Sequence, residues 1–422
     1  MISYADALEL LLSSTVPMPA QTVALAEAKG RVLSSNVCSP QCLPPFDNAA
    51  MDGFALYCGG AGIDAGMELA VQGWQAAGDG ASHGSDGSDG AWEIMTGARM
   101  PEGFDTVVPI EHVDILEQRD GRPQRIRVSQ AVTPGQHVRL RGQDVGHGED
   151  VLPAGTTLDI NACTLLHAIG VADVQVRARP RVAVIATGKE LVSDASVPLG
   201  SGQIRDSNRP YLVGRLKAAG AEVVWQGVVG DEVAAFDAAV DEALRAGAMV
   251  LISTGAVSQG RYDFIPGALR ARGAEIGFHK VAIRPGKPVL FARLKEGAMY
   301  FGLPGNPVSA AVGQRFFVEP VLRRLLGLGA EPIWSLPLTG DVRKPPGWRF
   351  HARARVEIDG NGQLAARVIA GQESFRLMSM VQANAWVVLD GEDSVAPAGS
   401  RVQVQGWGHN DPVQGIIQEE SR

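Results

Sequence analysis

The stretch "RPRVAVIATG" (179–188) decides the fold class. Its apolar run over 182–186, with a proline before it and a glycine after it, reads as a short strand buried on both faces. The pattern then alternates. A helix is expected over 208–219, ended by Gly220, followed by a strand over 222–229. A second helix over 233–246 sets Phe236, Val240 and Leu244 on one face, and a strand over 249–253 follows. This rhythm predicts a parallel sheet with helices on both faces, a three-layer α/β domain. Toward its end "YFGLPGNPVSAAVGQRFF" (300–317) places a buried strand over 298–303 before a helix running from Val308. Asn306 falls at the N-cap, where its side chain would accept a backbone N–H. Pro307 falls at the first helical position, where the N–H it lacks has no intrahelical partner. Pro304 stiffens the entry and Gly305 removes bulk, so the amides at the helix start form a concavity suited to an anion. A plain strand-to-helix turn that binds nothing is the alternative.

The polar, glycine-rich segments of this domain fall just after its strands: "ATGKEL" (186–191), "STGAVSQGRYDF" (253–264) and "GLPGNP" (302–307). Ligands of open α/β sheets bind at those carboxyl ends. Small residues, hydroxyls and amides in "TGAVSQG" suit a phosphate. The nearby acids are Glu190, Asp231 and Asp263. Three carboxylates beside a phosphate loop suit hydrated Mg²⁺, although Asp231 reads equally well as the N-cap of its helix. In "HKVAIRPGKPVLF" (279–291), Lys280, Arg284 and Lys287 gather around a Pro-Gly turn and would supply positive field to an anion.

Working outward, 422 residues are enough for several domains, and the composition, 45% hydrophobic and 20% charged, is that of a globular protein. A formal net charge of −8 argues against nucleic-acid binding. No apolar run reaches the roughly 18 residues of a membrane span. "MISYADALEL" carries Asp6 and Glu9 where a secretion signal would be basic, so a cytoplasmic protein is expected. Four cysteines form no disulfide framework. "CSPQC" (Cys38, Cys42) is either half a zinc site or, as expected here, free thiols, like the isolated Cys58 and Cys163. Ser3 and Asp6 form a capping box for a first helix that ends before Pro17. Short strands broken by glycine fill 46–140, with a polar loop at "GDGASHGSDGSDGAW" (78–92). After Pro332 the helical signals stop, and "HARARVEI", "AWVVLDG" and "SRVQVQG" suggest a small all-β domain.

Nine segments together resemble the molybdopterin molybdenumtransferase family, which includes the E domain of gephyrin. They are "FDNAAMDGFA", "IMTGARMPEGFDTVVPIE", "RLRGQDV", "ATGKEL", "IRDSNRPYL", "STGAVSQGRYDF", "RPGKP", "GLPGNPVSA" and "SFRLMSMVQANAW", in the family's order across nearly the whole chain. The resemblance implies an N-terminal linking domain (1–45 and 142–176), an inserted β-rich domain (46–141), an α/β molybdopterin-binding domain (177–328) and a C-terminal β-barrel-like domain (329–422). It implies Mg²⁺-dependent cleavage of adenylylated molybdopterin, with molybdate inserted into the dithiolene and AMP released. Asp52, Thr96, Asp144, Glu190, Asp231, Asp263 and Lys280 would be catalytic, with Glu190, Asp231 and Asp263 on the metal. Thr187, Gly188, Gly255, Ser258 and the turn Pro304, Gly305, Asn306, Pro307 would bind substrate. Molybdate would lie among Arg284, Lys287, Pro288, Ser309, Arg353 and Ser374. A homodimer is implied, with Asp52, Thr96 and Asp144 facing the α/β domain of the other subunit. The implied partners are the upstream adenylyltransferase and recipient molybdoenzymes.

Some positions depart from the family's pattern: Lys189 where aspartate is usual, Ala256 for glycine, Arg261 for an acid, Arg284 for lysine and His351 near an aromatic position. Lys189 and Arg261 reverse charge near the expected metal site, and Ala256 would be strained if its φ were positive. Without the resemblance, Arg353 would read as an outward-facing residue of "HARARVEI". Two rival functions stand beside the transferase: a non-catalytic molybdopterin carrier or scaffold, and a nucleotide pyrophosphatase built on the same α/β domain.

Overall fold

The computed structural model describes residues 1–82, 90–257, 264–358, 362–411 and 413–417. The chain divides into two compact units, one of Met1–Gln21, Gly30–Ser34 and Val176–Arg422, the other of Thr22–Lys29 and Ser35–Gln175. Half of the capping box expected at the start forms. Helix α1 (Tyr4–Ser13) begins where the Ser3 side chain accepts the Asp6 N–H, and the Ser3 hydroxyl donates back to the Asp6 carboxylate at 2.7 Å.

The smaller unit is built on a six-stranded sheet: β1 (Gly53–Leu56), β2 (Glu68–Gln75), β3 (Gly90–Ile94), β4 (Thr106–Pro109), β5 (Val113–Arg119) and β6 (Arg122–Val128), in the order β4-β1-β3-β2-β6-β5. Its strands are short and glycine-interrupted, as the sequence suggests, and Phe54, Leu56, Val108 and Ile126 close its core. Helix α2 (Ile160–Ala168) belongs to the same unit and is capped by Asp159, which accepts the Ala162 N–H.

The larger unit carries the α/β layers. Its strands are β7 (Arg181–Thr187), β8 (Glu222–Val229), β9 (Val250–Thr254), β10 (Glu275–His279), β11 (Leu290–Arg293) and β12 (Met299–Leu303), ordered β8-β7-β9-β12-β11-β10. Strands β8, β7, β9 and β12 run parallel. The expectation of a wholly parallel sheet is corrected at its edge, where β11 pairs antiparallel with both β12 and β10. Only five residues separate Arg293 from Met299, which leaves room for a hairpin turn and none for a crossover helix.

Successive residues of β7 point to opposite faces, so Val182 and Val184 join one core and Ala183 and Ile185 the other. The first core is covered by α3 (Asn208–Ala218) and by the run α6 (Pro307–Gly313), a π-helical turn at Gln314–Val318, and α7 (Glu319–Leu325). The second is covered by α4 (Val233–Arg245) and α5 (Ile265–Ala271). In α4, Phe236, Ala239, Val240 and Ala243 recur at helical spacing and are the residues buried.

The last segment supplies six strands of a seven-stranded sheet, the seventh being Ile283–Arg284; its main strands are β13 (Trp334–Pro337), β14 (Arg349–Ile358), β15 (Leu364–Val368), β16 (Ala385–Leu389) and β17 (Arg401–Gln405). It is not wholly β: a one-turn helix, α8 (Met378–Gln382), interrupts it. Both faces of β16 are buried. Trp386 and Val388 pack into the α/β core, whereas Ala385, Val387 and Leu389 pack into the sheet's own core. Polar contacts fasten the same junction: Arg315 Nε donates to the Gly406 carbonyl at 3.0 Å, and the buried Glu319 carboxylate accepts the His409 backbone N–H at 2.7 Å. Burial alone would raise the Glu319 carboxyl, but His409 and Arg315 outweigh it and hold the group below its ordinary value.

Candidate functional site

The carboxyl ends of β7, β9 and β12 lie side by side, because these strands are adjacent and parallel. Together with the end of β8 they open a pocket of about 830 Å³. Thr187, Gly188, Lys189 and Glu190 enter it after β7, and Asp231 after β8. Thr254, Gly255 and Ala256 follow β9, and Gly305, Asn306 and Pro307 follow β12. Three glycine-rich loops separated by up to 120 residues of chain are thus one site.

The loops are pinned to each other. The Thr187 hydroxyl donates to the Thr254 carbonyl at 2.9 Å, the Gly255 N–H to the Leu303 carbonyl at 3.1 Å, and the Gly188 N–H to the Val229 carbonyl at 3.1 Å. Gly255 has φ +92°, and a Cβ there would stand 2.7 Å from both the carbonyl oxygen and the hydroxyl of Thr187, so only glycine fits. Ala256 follows at φ +50°, the left-handed conformation in which its methyl is strained.

Glu190 is half-buried and Asp231 exposed in this pocket. The N-cap reading of Asp231 is overturned: α4 is preceded by Glu232 at its N-cap, with no side-chain cap bond. An Asp231 carboxylate oxygen instead accepts the Lys189 backbone N–H at 3.3 Å. Asp231 therefore bridges the loops after β7 and β8. Ser258, Arg261 and Asp263 lie outside the described residues. Among the described residues no three metal-ligating side chains cluster. Glu190 and Asp231 are nonetheless hard oxygen donors facing one cavity, the donor type Mg²⁺ takes, usually with waters and substrate oxygens.

At the β12 loop the N-cap of α6 is Asn306 and Pro307 is its first residue, as the sequence indicates. The Asn306 side chain, however, makes no cap bond. Its amide donates to the Ser374 hydroxyl at 3.0 Å, and the Ser374 carbonyl accepts the Val308 N–H at 3.0 Å. The β-sheet segment thus supplies the partner that the helix end lacks. Pro304 and Ser309 are buried beneath this turn.

A second cavity, of about 990 Å³, is lined by Arg284, by Arg343 and Lys344, and by residues 371–373. Arg284 reaches it because the strand Ile283–Arg284 pairs in parallel with the start of β14. Lys280 and Lys287 sit at the base of the same loop, where the Lys280 N–H meets the Val289 carbonyl and the Val281 N–H meets the Lys287 carbonyl, each at 3.0 Å. The Lys287 ammonium lies 5.2 Å from the centre of the Trp348 ring, and Pro288 is half-buried. The basic residues grouped in sequence therefore do not line the pocket of the glycine loops.

Arg353 is fully buried, which overturns the outward-facing reading. The middle of β14 is covered on both faces, so alternation with alanine does not expose the arginine. Its Nη2 donates to the Gly371 carbonyl at 2.9 Å, whereas Nε and Nη1 have no hydrogen-bond partner among the described residues. Burial lowers its pKa to about 10. Residues 371–375 link the two cavities: 371–373 line one and Phe375 the other.

In the smaller unit the segments "DNAAMDG", "MTGAR" and "RLRGQDV" converge. Asn48–Ala49 pairs with Val138–Arg139, and the Gly97 N–H meets the Ala49 carbonyl at 2.8 Å. Thr96 donates its N–H and its hydroxyl to one Asp52 oxygen at 2.6 and 2.7 Å. Those two bonds, hydroxyl first, hold the Asp52 carboxyl below its ordinary value. Asp144 is exposed on the turn beyond Val138–Arg139. The four cysteines are free, and the Cys38 thiol donates to Asp150 at 2.9 Å.

Among the residues of the pocket that sequence reasoning passed over, three stand out. Arg205 lines it while donating to the Asp194 and Val197 carbonyls, and Asn208 donates to the Gly305 carbonyl at 2.7 Å, holding the β12 loop. Phe375 is the third; only its place in the "SFRLM" motif marked it.

Residues 2–170 match the family model described as the MoeA N-terminal region (domain I and II). Residues 183–324 match "Probable molybdopterin binding domain", and residues 335–407 match the MoeA C-terminal region (domain IV). The chain is 36% identical to a molybdopterin molybdenumtransferase of Synechococcus elongatus over 96% of its length and 99% of the relative's. To the Haemophilus influenzae protein of that name it is 35% identical, over 93% and 96%. The solved structure of a molybdopterin biosynthesis MoeA protein from Pyrococcus horikoshii is similar with a TM-score of 0.79 at 28% identity, covering 96% of this chain and 99% of that one.

Proposed function

The chain belongs to the molybdopterin molybdenumtransferase family, and on that premise we propose that it inserts molybdate into adenylylated molybdopterin with Mg²⁺-dependent release of AMP. The observation that carries this reading is the joining of Glu190 and Asp231 with the loops after β7, β9 and β12 in one pocket. A pyrophosphate linkage needs amide and hydroxyl donors on one side and a cation on the other, and the loop donors with the Glu190 and Asp231 carboxylates beside them support this reading. Glu190 and Asp231, with Asp263 by resemblance, would hold Mg²⁺, which when bound neutralises charge on the pyrophosphate oxygens. Thr187, Gly188, Gly255 and Ser258 orient the phosphates, and the stiff 304–307 turn walls the pocket beside them. Molybdate is assigned to the neighbourhood of Arg284, Lys287, Pro288, Ser309, Arg353 and Ser374. Arg353 supports it, since a buried guanidinium with two uncommitted nitrogens is poised for an oxyanion. Asp52, Thr96 and Asp144 would complete the site of a second copy in a homodimer, and Lys280 would assist near the substrate. No helix among the described residues is long and apolar enough to cross a membrane, and we assign the reaction to the cytoplasm.

The test is incubation of the full chain with adenylylated molybdopterin, molybdate and Mg²⁺, reading AMP and active cofactor separately. Both products are expected. AMP without cofactor would mark a pyrophosphatase, and binding without AMP a carrier. Asp231→Asn and Glu190→Gln should fold and lose metal-dependent AMP release, because amides are poor Mg²⁺ ligands; full release by both variants refutes the metal assignment. Mixing Asp52→Ala with Asp231→Ala chains should restore activity if sites are shared between subunits.

A further inference from the structure

We propose that Phe375 is the stacking platform of the glycine-loop pocket, taking the flat bicyclic ring of the substrate, adenine or pterin, while the loops hold its phosphates. The inference rests on the function proposed above and names how that site recognises the rest of its substrate.

The pocket of about 830 Å³ is much larger than a diphosphate, and its lining presents amides, hydroxyls, carboxylates, the basic side chains of Lys189 and Arg205, and the aliphatic Leu191 and Ile204. Among the described lining residues Phe375 alone offers an aromatic face. Phe375 is 64% exposed at this cavity, so its ring is accessible to a ligand held by the loops. It is also held in place. The preceding residue, Ser374, is fixed by the Asn306 side-chain amide and the Val308 N–H, each at 3.0 Å, so the backbone entering Phe375 is tied to the β12 loop. On the other side Arg376 pairs with Glu373 at 2.8 Å, and its guanidinium sits 5.8 Å from the ring centre. A ring anchored through its backbone loses little freedom when a second ring stacks on it, and stacking tolerates either heterocycle because both present a π face. The same segment that reaches the second cavity through residues 371–373 therefore carries the platform for the organic half of the substrate.

The experiment uses the full chain with Phe375→Ala, Phe375→Tyr and Phe375→Trp, titrated calorimetrically with AMP, neopterin monophosphate and inorganic pyrophosphate. The Ala variant should weaken AMP or neopterin monophosphate roughly 5- to 30-fold, the stacking worth of one ring. Tyr and Trp should stay near wild type, pyrophosphate affinity should be unchanged throughout, and the added Trp emission should be quenched by the ring that stacks. Whichever of the two ligands responds identifies that ring. Unchanged binding of both ligands by the Ala variant overturns the proposal, as does equal loss in the Tyr and Trp variants or a matching loss for pyrophosphate. Wild-type protein that binds none of the three ligands overturns the proposed function itself.

Discussion

Arg353→Met should make the ligand-free protein more stable and unresponsive to molybdate. The guanidinium is fully buried with Nε and Nη1 unpartnered among the described residues, and burial lowers its pKa from the ordinary arginine value to about 10. At about 1.4 kcal/mol per pH unit, that displacement makes the charged form costly on the order of 2 to 3 kcal/mol. The sign follows from the proton balance. The unfolded chain holds this proton more tightly, so the cost is fully present at neutral pH and is relieved only as pH rises above about 10 toward the ordinary arginine value. Methionine removes the cost but leaves the Gly371 carbonyl without its donor, a loss of about 1 kcal/mol. The net expectation is a gain of about 1 to 2 kcal/mol. Molybdate at tenfold over its dissociation constant should then stabilise wild type by about 1.4 kcal/mol and the variant not at all. Urea unfolding midpoints with and without molybdate measure both effects, urea being chosen because it is uncharged. A variant that is less stable alone refutes the burial argument, and one that keeps the molybdate response returns Arg353 to a structural role.

Two further outcomes follow from strain and burial. Ala256→Gly should stabilise the protein by about 0.5–1 kcal/mol, because the left-handed φ of +50° costs a non-glycine residue about 1–2 kcal/mol and the freer unfolded chain returns only part of that; a lower urea midpoint would contradict it. His351 lies buried against Phe316, ring centres 4.1 Å apart, with both ring nitrogens unpartnered among the described residues, and burial first, then Arg349 and Arg315, hold its pKa well below 6.5. Only the unfolded chain takes up this proton, so stability is present above pH 6.5 and lost below it. Wild type should lose about 1.4 kcal/mol more than His351→Phe between pH 7.5 and 5.5, and parallel pH profiles for the two proteins would show that His351 titrates normally.

Much of the α/β layer is determined by the sequence alone, because its signals are local. Buried runs such as 182–186, the spacing of Phe236 and Val240, the glycine that ends α3 and the proline that opens α6 act within a few residues of chain. The placement of Glu190, Asp231 and the three loops on one sheet edge also follows from order alone, since parallel strands share a carboxyl end. Tertiary structure decided what depends on partners far along the chain. The antiparallel direction of β11 shows in its pairing with β12 and β10, and the Asn306 amide turned from its own helix to Ser374, 68 residues away. Arg353 was buried because both faces of β14 are covered, and Phe375 became part of the pocket because the carbonyl of the preceding Ser374 accepts the Val308 N–H. A side chain's periodicity shows which way it leaves its own strand or helix. What it meets there depends on elements folded against it, and periodicity carries no record of those.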